Sequence, residues 1–279
     1  MVMKSNFIER EGGFQLHFLE WKPQTASDRL PVICLHGNLS NARMYKWVGD
    51  ELSSAKLEKP RHVVAIDFRG CGDSGLPEAG FSLQHMASDI EAVMIRLGIS
   101  KAHFIAYSRG TAYALQYALR NPDSVQGLVI GDYPAHYTKF NEDWAKSMVN
   151  AYKLYDSWES LYNVLASSEL LSREAFEAGK ETYYVEKAGV IQKRYSKDFP
   201  VRLQLESADY DLTPALDNIQ GKMLILKGME PGSLLNDEQI NAYLNYNPEI
   251  VRVHQAGHDV FEPREQVKEA LLNFFSRQG

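Results

Sequence analysis

Cysteine is scarce in this chain of 279 residues: Cys34 lies in an apolar run and Cys71 in a glycine-rich turn. Two thiols are too few for a disulfide framework, so both are expected to be reduced, Cys34 as a small core hydrophobe. Runs of Lys and Arg are missing too, and the net charge is -6. Without a basic field to hold a polyphosphate backbone, the chain is not expected to bind nucleic acid. No segment approaches the roughly 20 apolar residues that span a bilayer, and the leading MVMKSNFIEREGG lacks the apolar stretch of a secretory signal. A cytoplasmic protein without stable membrane association is the expectation. No Cys/His/Asp cluster has metal-site spacing and no phosphate-cradling glycine loop is evident, so neither metal nor cofactor is expected. Repeats of fixed period are absent as well, which removes solenoids.

What is present suits a globular enzyme. In FQLHFLEW, Phe14, Leu16 and Phe18 alternate with Gln15 and His17, the period-two pattern of an antiparallel strand with one wet face. PVICLHG, HVVAIDF, AHFIAY, VQGLVIG and KMLILKG are short unbroken apolar runs. Such runs fit parallel strands buried on both faces. Between them SLQHMASDIEAVMIRLGI places Leu83, Met86, Ile90, Val93 and Leu97 at helical steps, with Ser82 as cap and Gly98 as stop. RGTAYALQYALRNP and EPREQVKEALLNFFSRQ read as two more helices. Strand and helix alternation predicts an α/β fold with a mostly parallel sheet.

The alternation stops after Pro134. Residues 135–213 contain no good strand run, are rich in Trp, Tyr, Glu and Lys, and read as several helices. Roughly eighty residues far exceed an ordinary connection of about 2 to 6, so the segment is expected to form an inserted helical cap over a core built from residues 1–134 and 214–279.

IAYSRG puts Ser108 between a strand run and a helix run. A serine hydroxyl is a weak nucleophile at neutral pH, so it needs a base for its proton and donors for the resulting oxyanion. At a sharp strand-to-helix turn, the small residues Ala106 and Gly110 let backbones approach and expose the hydroxyl. Arg109 would open the helix with its N–H toward the developing charge, its guanidinium being solvated or structural. The second donor should follow an earlier strand. LHGNLS fits, with Asn38 supplying the N–H, Gly37 permitting a turn and His36 packing beneath the loop. Of eight histidines, His258 in HQAGHDVFEP follows the last strand run and should emerge at the carboxyl edge of the sheet, as Ser108 does.

With LHGNLS, DFRGCGDSG, AYSRG and AGHDVFEPREQV in that order, the chain resembles the alpha/beta-hydrolase superfamily over nearly its whole length. The resemblance implies that DFRGCGDSG is architectural and that relatives opening epoxides or removing halogens use Asp at the elbow, where this chain has Ser. It also implies an acid in the loop after KMLILKG. That loop is MEPGSLLND, with Pro231, Gly232 or Ser233 at the usual place. The preferred acid is Asp132, at the end of GLVIGDYP; Glu230 is the alternative, then Asp237 or a dyad with no acid. An anion is needed only to orient the imidazole and stabilise its protonated form. The expectation is an enzyme, a carboxylic-ester hydrolase acting on a small acyl substrate with Ser108, His258 and Asp132. Trp144, Tyr152, Tyr155, Trp158 and Tyr162 would line its pocket or pack the cap. A C–C bond hydrolase, a lyase, a cofactor-free haloperoxidase and a small-molecule sensor stand as alternatives. The oligomeric state is left open.

Overall fold

An apolar run without alternation has two faces to bury, and a sheet covered on both sides by helices satisfies both. A computed structural model of the protein describes residues 3–25, 27–138, 142–169, 171–207 and 209–278. The chain runs through β1 (Met3–Arg10), β2 (Phe14–Trp21), β3 (Val32–Leu35), α1 (Lys46–Leu52), β4 (Val63–Ile66), α2 (Leu83–Leu97), β5 (Ala102–Tyr107), α3 (Gly110–Arg120) and β6 (Val125–Gly131). Next come β7 (His136–Thr138), α4 (Glu142–Asn150), α5 (Trp158–Glu169), α6 (Arg173–Tyr183), β8 (Tyr184–Lys187), β9 (Val190–Lys193), α7 (Phe199–Ser207) and β10 (Asp209–Asp211). It finishes with β11 (Met223–Gly228), α8 (Asp237–Leu244), β12 (Glu249–Val253) and α9 (Glu265–Ser276).

The main sheet has eight strands in the order β1-β2-β4-β3-β5-β6-β11-β12. All neighbours from β4 to β12 are parallel, and β1 and β2 are antiparallel. Ile33 and Leu35 of β3 join a core with Met86 and Ile90 of α2 and Leu115 of α3. Val32 and Cys34 point the other way, to Val48 of α1 and Leu271 of α9. Ser82 caps α2 and Gly98 ends it at φ 67. Chain order reverses at β3, which has β4 on one side and β5 on the other. A crevice forms outside the carboxyl ends of strands at such a switch, and the loops after β3 and β5 border it.

Two local readings change. β2 lacks the wet face its alternation suggested: Gln15 is exposed, but His17 is fully buried. β1 covers the strand's edge, and His17 finds polar partners inside. Residues 135–213 are also not purely helical, because β7 pairs with β10 and β8 pairs with β9. The β8–β9 turn is Ala188-Gly189, both at positive φ of 50 and 78, a hairpin geometry whose twist matches that of its strands. The segment joins the core beyond β3 and β4. Asn41 Nδ2 donates to Thr182 O at 2.6 Å, Gly72 N to Arg194 O at 2.6 Å, and Arg194 pairs with Asp73 at 2.8 Å. Among the described residues no helix is long and apolar enough to cross a membrane.

Candidate active site

Ser108 sits in the two-residue gap between β5 and α3 at φ 52. Left-handed backbone costs a non-glycine residue about 1 to 2 kcal/mol. Hydrogen bonds hold it there: Ser108 N donates to Gly131 O at 2.9 Å and Thr111 N to Ser108 O at 2.9 Å. Space is the other requirement. A Cβ on Gly110 would stand 2.3 Å from Leu35 O, and one on Gly37 would stand 2.5 Å from Ser108 Cβ. Gly37 is therefore needed for room beside the serine rather than for an unusual turn, since its φ is not in the left-handed region.

His258 Nε2 lies 2.8 Å from Ser108 Oγ, and its Nδ1 lies 2.9 Å from Asp132 Oδ2. Asp132 follows β6, is fully buried and has φ 51. Burial alone would push its carboxyl up. Hydrogen bonds from His258, Ser233, Leu234 and Gly228 outweigh this and hold it below the usual carboxylate range. An ionised Asp132 can only accept, so Nδ1 of His258 carries the proton and Nε2 is left to accept from the serine hydroxyl. The histidine loop is placed by backbone. Met229 N and Glu230 N donate to Ala256 O at 2.8 and 2.9 Å, and a Cβ on Gly228 would strike Gly257 O. The Tyr107 ring stacks on the imidazole with centroids 5.1 Å apart.

The alternative acids fall away from this arrangement. Glu230 is exposed, and among the described residues no hydrogen bond joins its carboxylate to His258. Asp237 opens α8 and is also exposed. Where the resemblance implied an acid, the loop supplies donors instead: Ser233 Oγ donates to Asp132 Oδ1 at 2.6 Å and Leu234 N to Oδ2 at 2.8 Å. The pair of a carboxylate at one strand end and a hydroxyl at the next was the signal available in the sequence.

Asn38 follows Gly37 beside the serine, and among the described residues no hydrogen bond engages its amide. Arg109 stands at the N-cap of α3. Its guanidinium is buried rather than solvated, 5.5 Å over the Tyr210 ring and in contact with Tyr133. His36 lies beneath the loop, donating from Nδ1 to Gly37 O at 2.7 Å and accepting Phe68 N on Nε2 at 3.0 Å. Burial lowers its pKa, against the raising influence of Asp67 and the Gly37 carbonyl. A neutral ring matches both bonds.

A cleft of about 780 Å³ is lined by Asn38, Met44, Trp47, Tyr183 and Phe261 and by Tyr107 and Asp259, the chain neighbours of Ser108 and His258, though by neither of those two residues themselves. The five aromatic residues singled out in the sequence do not line it. Tyr155, Trp158 and Tyr162 pack with Leu161, Phe176 and Ile191 inside the inserted segment, and Tyr152 meets Tyr195 edge-on. His17, Asp67 and Asp73 bring potential ligand atoms within 4.8 Å of one another. Protein donors already occupy them: Asp67 takes His17 Nδ1, Ala42 N and Asp73 N, and Asp73 takes Arg43 and Arg194. The cluster is a hydrogen-bonded floor beneath the loop after β3.

Comparison with known proteins places these features in context. The family described as alpha/beta hydrolase fold matches residues 31–207. A soluble epoxide hydrolase of Corynebacterium sp. (strain C12) is 32% identical over 120 residues, covering 43% of this chain and 38% of that protein. A proline iminopeptidase of Lactobacillus delbrueckii subsp. bulgaricus is 30% identical over 110 residues, 38% of this chain and 36% of the relative. The matches thus span little more than a third of these relatives' length. A crystal structure of an alpha/beta hydrolase from Novosphingobium aromaticivorans DSM 12444 superposes with a TM-score of 0.80 at 19% identity, covering 99% of this chain and 98% of that one. At that identity the likeness concerns the fold.

Proposed function

This chain belongs to the alpha/beta hydrolase family, and from that premise we propose that it is a serine hydrolase cleaving small carboxylic esters through an acyl-enzyme. The observation that carries the reading is the uninterrupted hydrogen-bonded series Ser108–His258–Asp132, at 2.8 and 2.9 Å, with the serine at a strained strand-to-helix turn. Ser108 Oγ attacks the ester carbonyl as its proton passes to His258 Nε2. Asp132 stabilises the imidazolium that results and keeps the ring oriented. The N–H groups of Asn38 and Arg109 receive the negative oxygen, the latter backed by the dipole of α3.

As the tetrahedral intermediate collapses, the C–O bond to the alcohol breaks and His258 returns its proton to the leaving oxygen. Water then repeats the sequence: His258 takes its proton, hydroxide oxygen joins the acyl carbon, and Ser108 leaves with the proton restored. Residues 135–213 act as a cap in this reading, with α6 contributing Tyr183 to one wall of the cleft. The serine at the elbow separates this reading from epoxide opening, for which the resemblance implies an aspartate nucleophile.

The test is a panel of short-chain p-nitrophenyl esters against wild type and Ser108→Ala. Steady turnover that vanishes in the variant supports the reading. Stoichiometric acylation of Ser108 without turnover would assign the chain to a sensor, and cleavage of a β-diketone with inert esters would assign it to C–C hydrolysis.

A further inference from the structure

We propose that Ser233 is a positioning residue of this site: its hydroxyl, with the amide of Leu234, clamps Asp132 so that Oδ2 faces His258. The inference rests on the serine-hydrolase reading above. Asp132 carries two donors on each oxygen. Oδ1 accepts from Ser233 Oγ at 2.6 Å and Gly228 N at 3.1 Å; Oδ2 accepts from Leu234 N at 2.8 Å and His258 Nδ1 at 2.9 Å. Gly228 N and His258 Nδ1 engage one oxygen each, from separate segments of the chain. Ser233 and Leu234, consecutive in one loop, add a second donor to each oxygen, and the four together hold the carboxylate against rotation about its Cβ–Cγ bond.

The hydroxyl has a choice of acceptor, and distance decides. Asp132 Oδ1 is at 2.6 Å and charged, whereas Leu235 O is at 3.5 Å and neutral. Charge-assisted bonds are the shorter and stronger kind. Leu235 N in turn donates to Ser233 Oγ at 3.4 Å, and the Leu235 side chain is buried, which pins the loop. A three-residue motif, Ser233-Leu234-Leu235, is thereby docked on the acid. Groups that orient a catalytic partner affect rate more than binding.

The experiment compares kcat and KM of wild type, Ser233→Ala, Ser233→Thr and Asp132→Asn on the short-chain ester turned over fastest, with thermal melts of each. Ser233 borders a cavity of about 560 Å³ that also touches Pro134, Tyr137 and Gln239, so the extra methyl of threonine has room. Ser233→Ala should lower kcat about tenfold with KM within about twofold of wild type. Ser233→Thr, which keeps the hydroxyl, should restore most of that loss. A Ser233→Ala variant with wild-type kcat, or a Ser233→Thr variant as slow as Ser233→Ala, overturns the proposal. Asp132→Asn separates the two claims. Its full activity would remove the triad reading itself, while its inactivity beside an unaffected Ser233→Ala would remove only the role of Ser233.

Discussion

Among the described residues there are two Ser–His–Asp series, and their hydrogen-bond lengths are nearly the same. In one, Ser108 Oγ, His258 and Asp132 are linked at 2.8 and 2.9 Å; in the other, Ser5 Oγ, His17 and Asp67 are linked at 2.8 and 2.7 Å. Their surroundings differ. Ser5 is exposed on the outer strand β1, and a tight turn into β2 follows that strand, with no helix to offer its N-terminus. Ser108 is strained at φ 52, followed by α3 and packed against Gly37, and its chain neighbour Tyr107 lines a cleft together with Asn38. Asp67 uses its oxygens to hold Ala42 N and Asp73 N as well as His17, which makes it a brace for two loops. A relay moves a proton, but only a site with oxyanion donors and room for a substrate makes the proton's removal useful.

Substitutions at equivalent places in the two series turn this contrast into numbers. Ser108→Ala should lower kcat for ester hydrolysis about 10⁶-fold, down to the level left by the oxyanion donors. Steady-state kinetics on the purified variant measure this, and residual activity near wild type breaks the contrast. Asp132→Asn should cost about 10⁴-fold in kcat/KM through loss of the correct tautomer. Its counterpart Asp67→Asn should instead cost about 3 kcal/mol of stability in a urea titration, because a buried charged acceptor is lost.

Gly37→Ala sharpens the comparison from the other direction by crowding Ser108, the added Cβ standing 2.5 Å from the serine Cβ. A shift of the nucleophile by even part of an ångström predicts a loss of about 10²-fold in kcat/KM. Acid titration links the two aspartates. Both are held below the ordinary carboxylate value of 3.8, Asp67 because bonds from His17 and its neighbours outweigh burial. The stability they contribute is complete above that value and disappears as pH falls through the lowered ones. Thermal melts between about pH 5 and pH 2 should show this loss, and Asp67→Asn should flatten it. The smallest effect belongs to Ser5→Ala, whose kcat should stay within about twofold of wild type, as for surface changes remote from chemistry.

The parts legible in the sequence are those where a local pattern and a global requirement coincide. Val32 to Leu35 is apolar throughout because both its faces are covered, and Ser108 and His258 stand beyond strands that share an edge. Asp132 was readable only as a preference, since the competing loop after β11 had to be seen supplying Ser233 and Leu234 as donors. Three features were not legible. His17 belongs to a hydrogen-bond series whose members are 12 and 50 residues away, and separations of that size leave no local pattern. The β8–β9 hairpin was hidden inside a run of helix-forming residues, although Ala188-Gly189 carried its turn. For Gly37 the sequence pattern suggests conformational freedom, whereas the requirement is room for the Ser108 side chain.

Peptide mapping after treatment with a fluorophosphonate compares the two series within one molecule. The account predicts rapid labelling at one position, Ser108, with Ser5 unmodified. Labelling at Ser5, or a Ser108 that stays unreactive while the protein is folded, would contradict it.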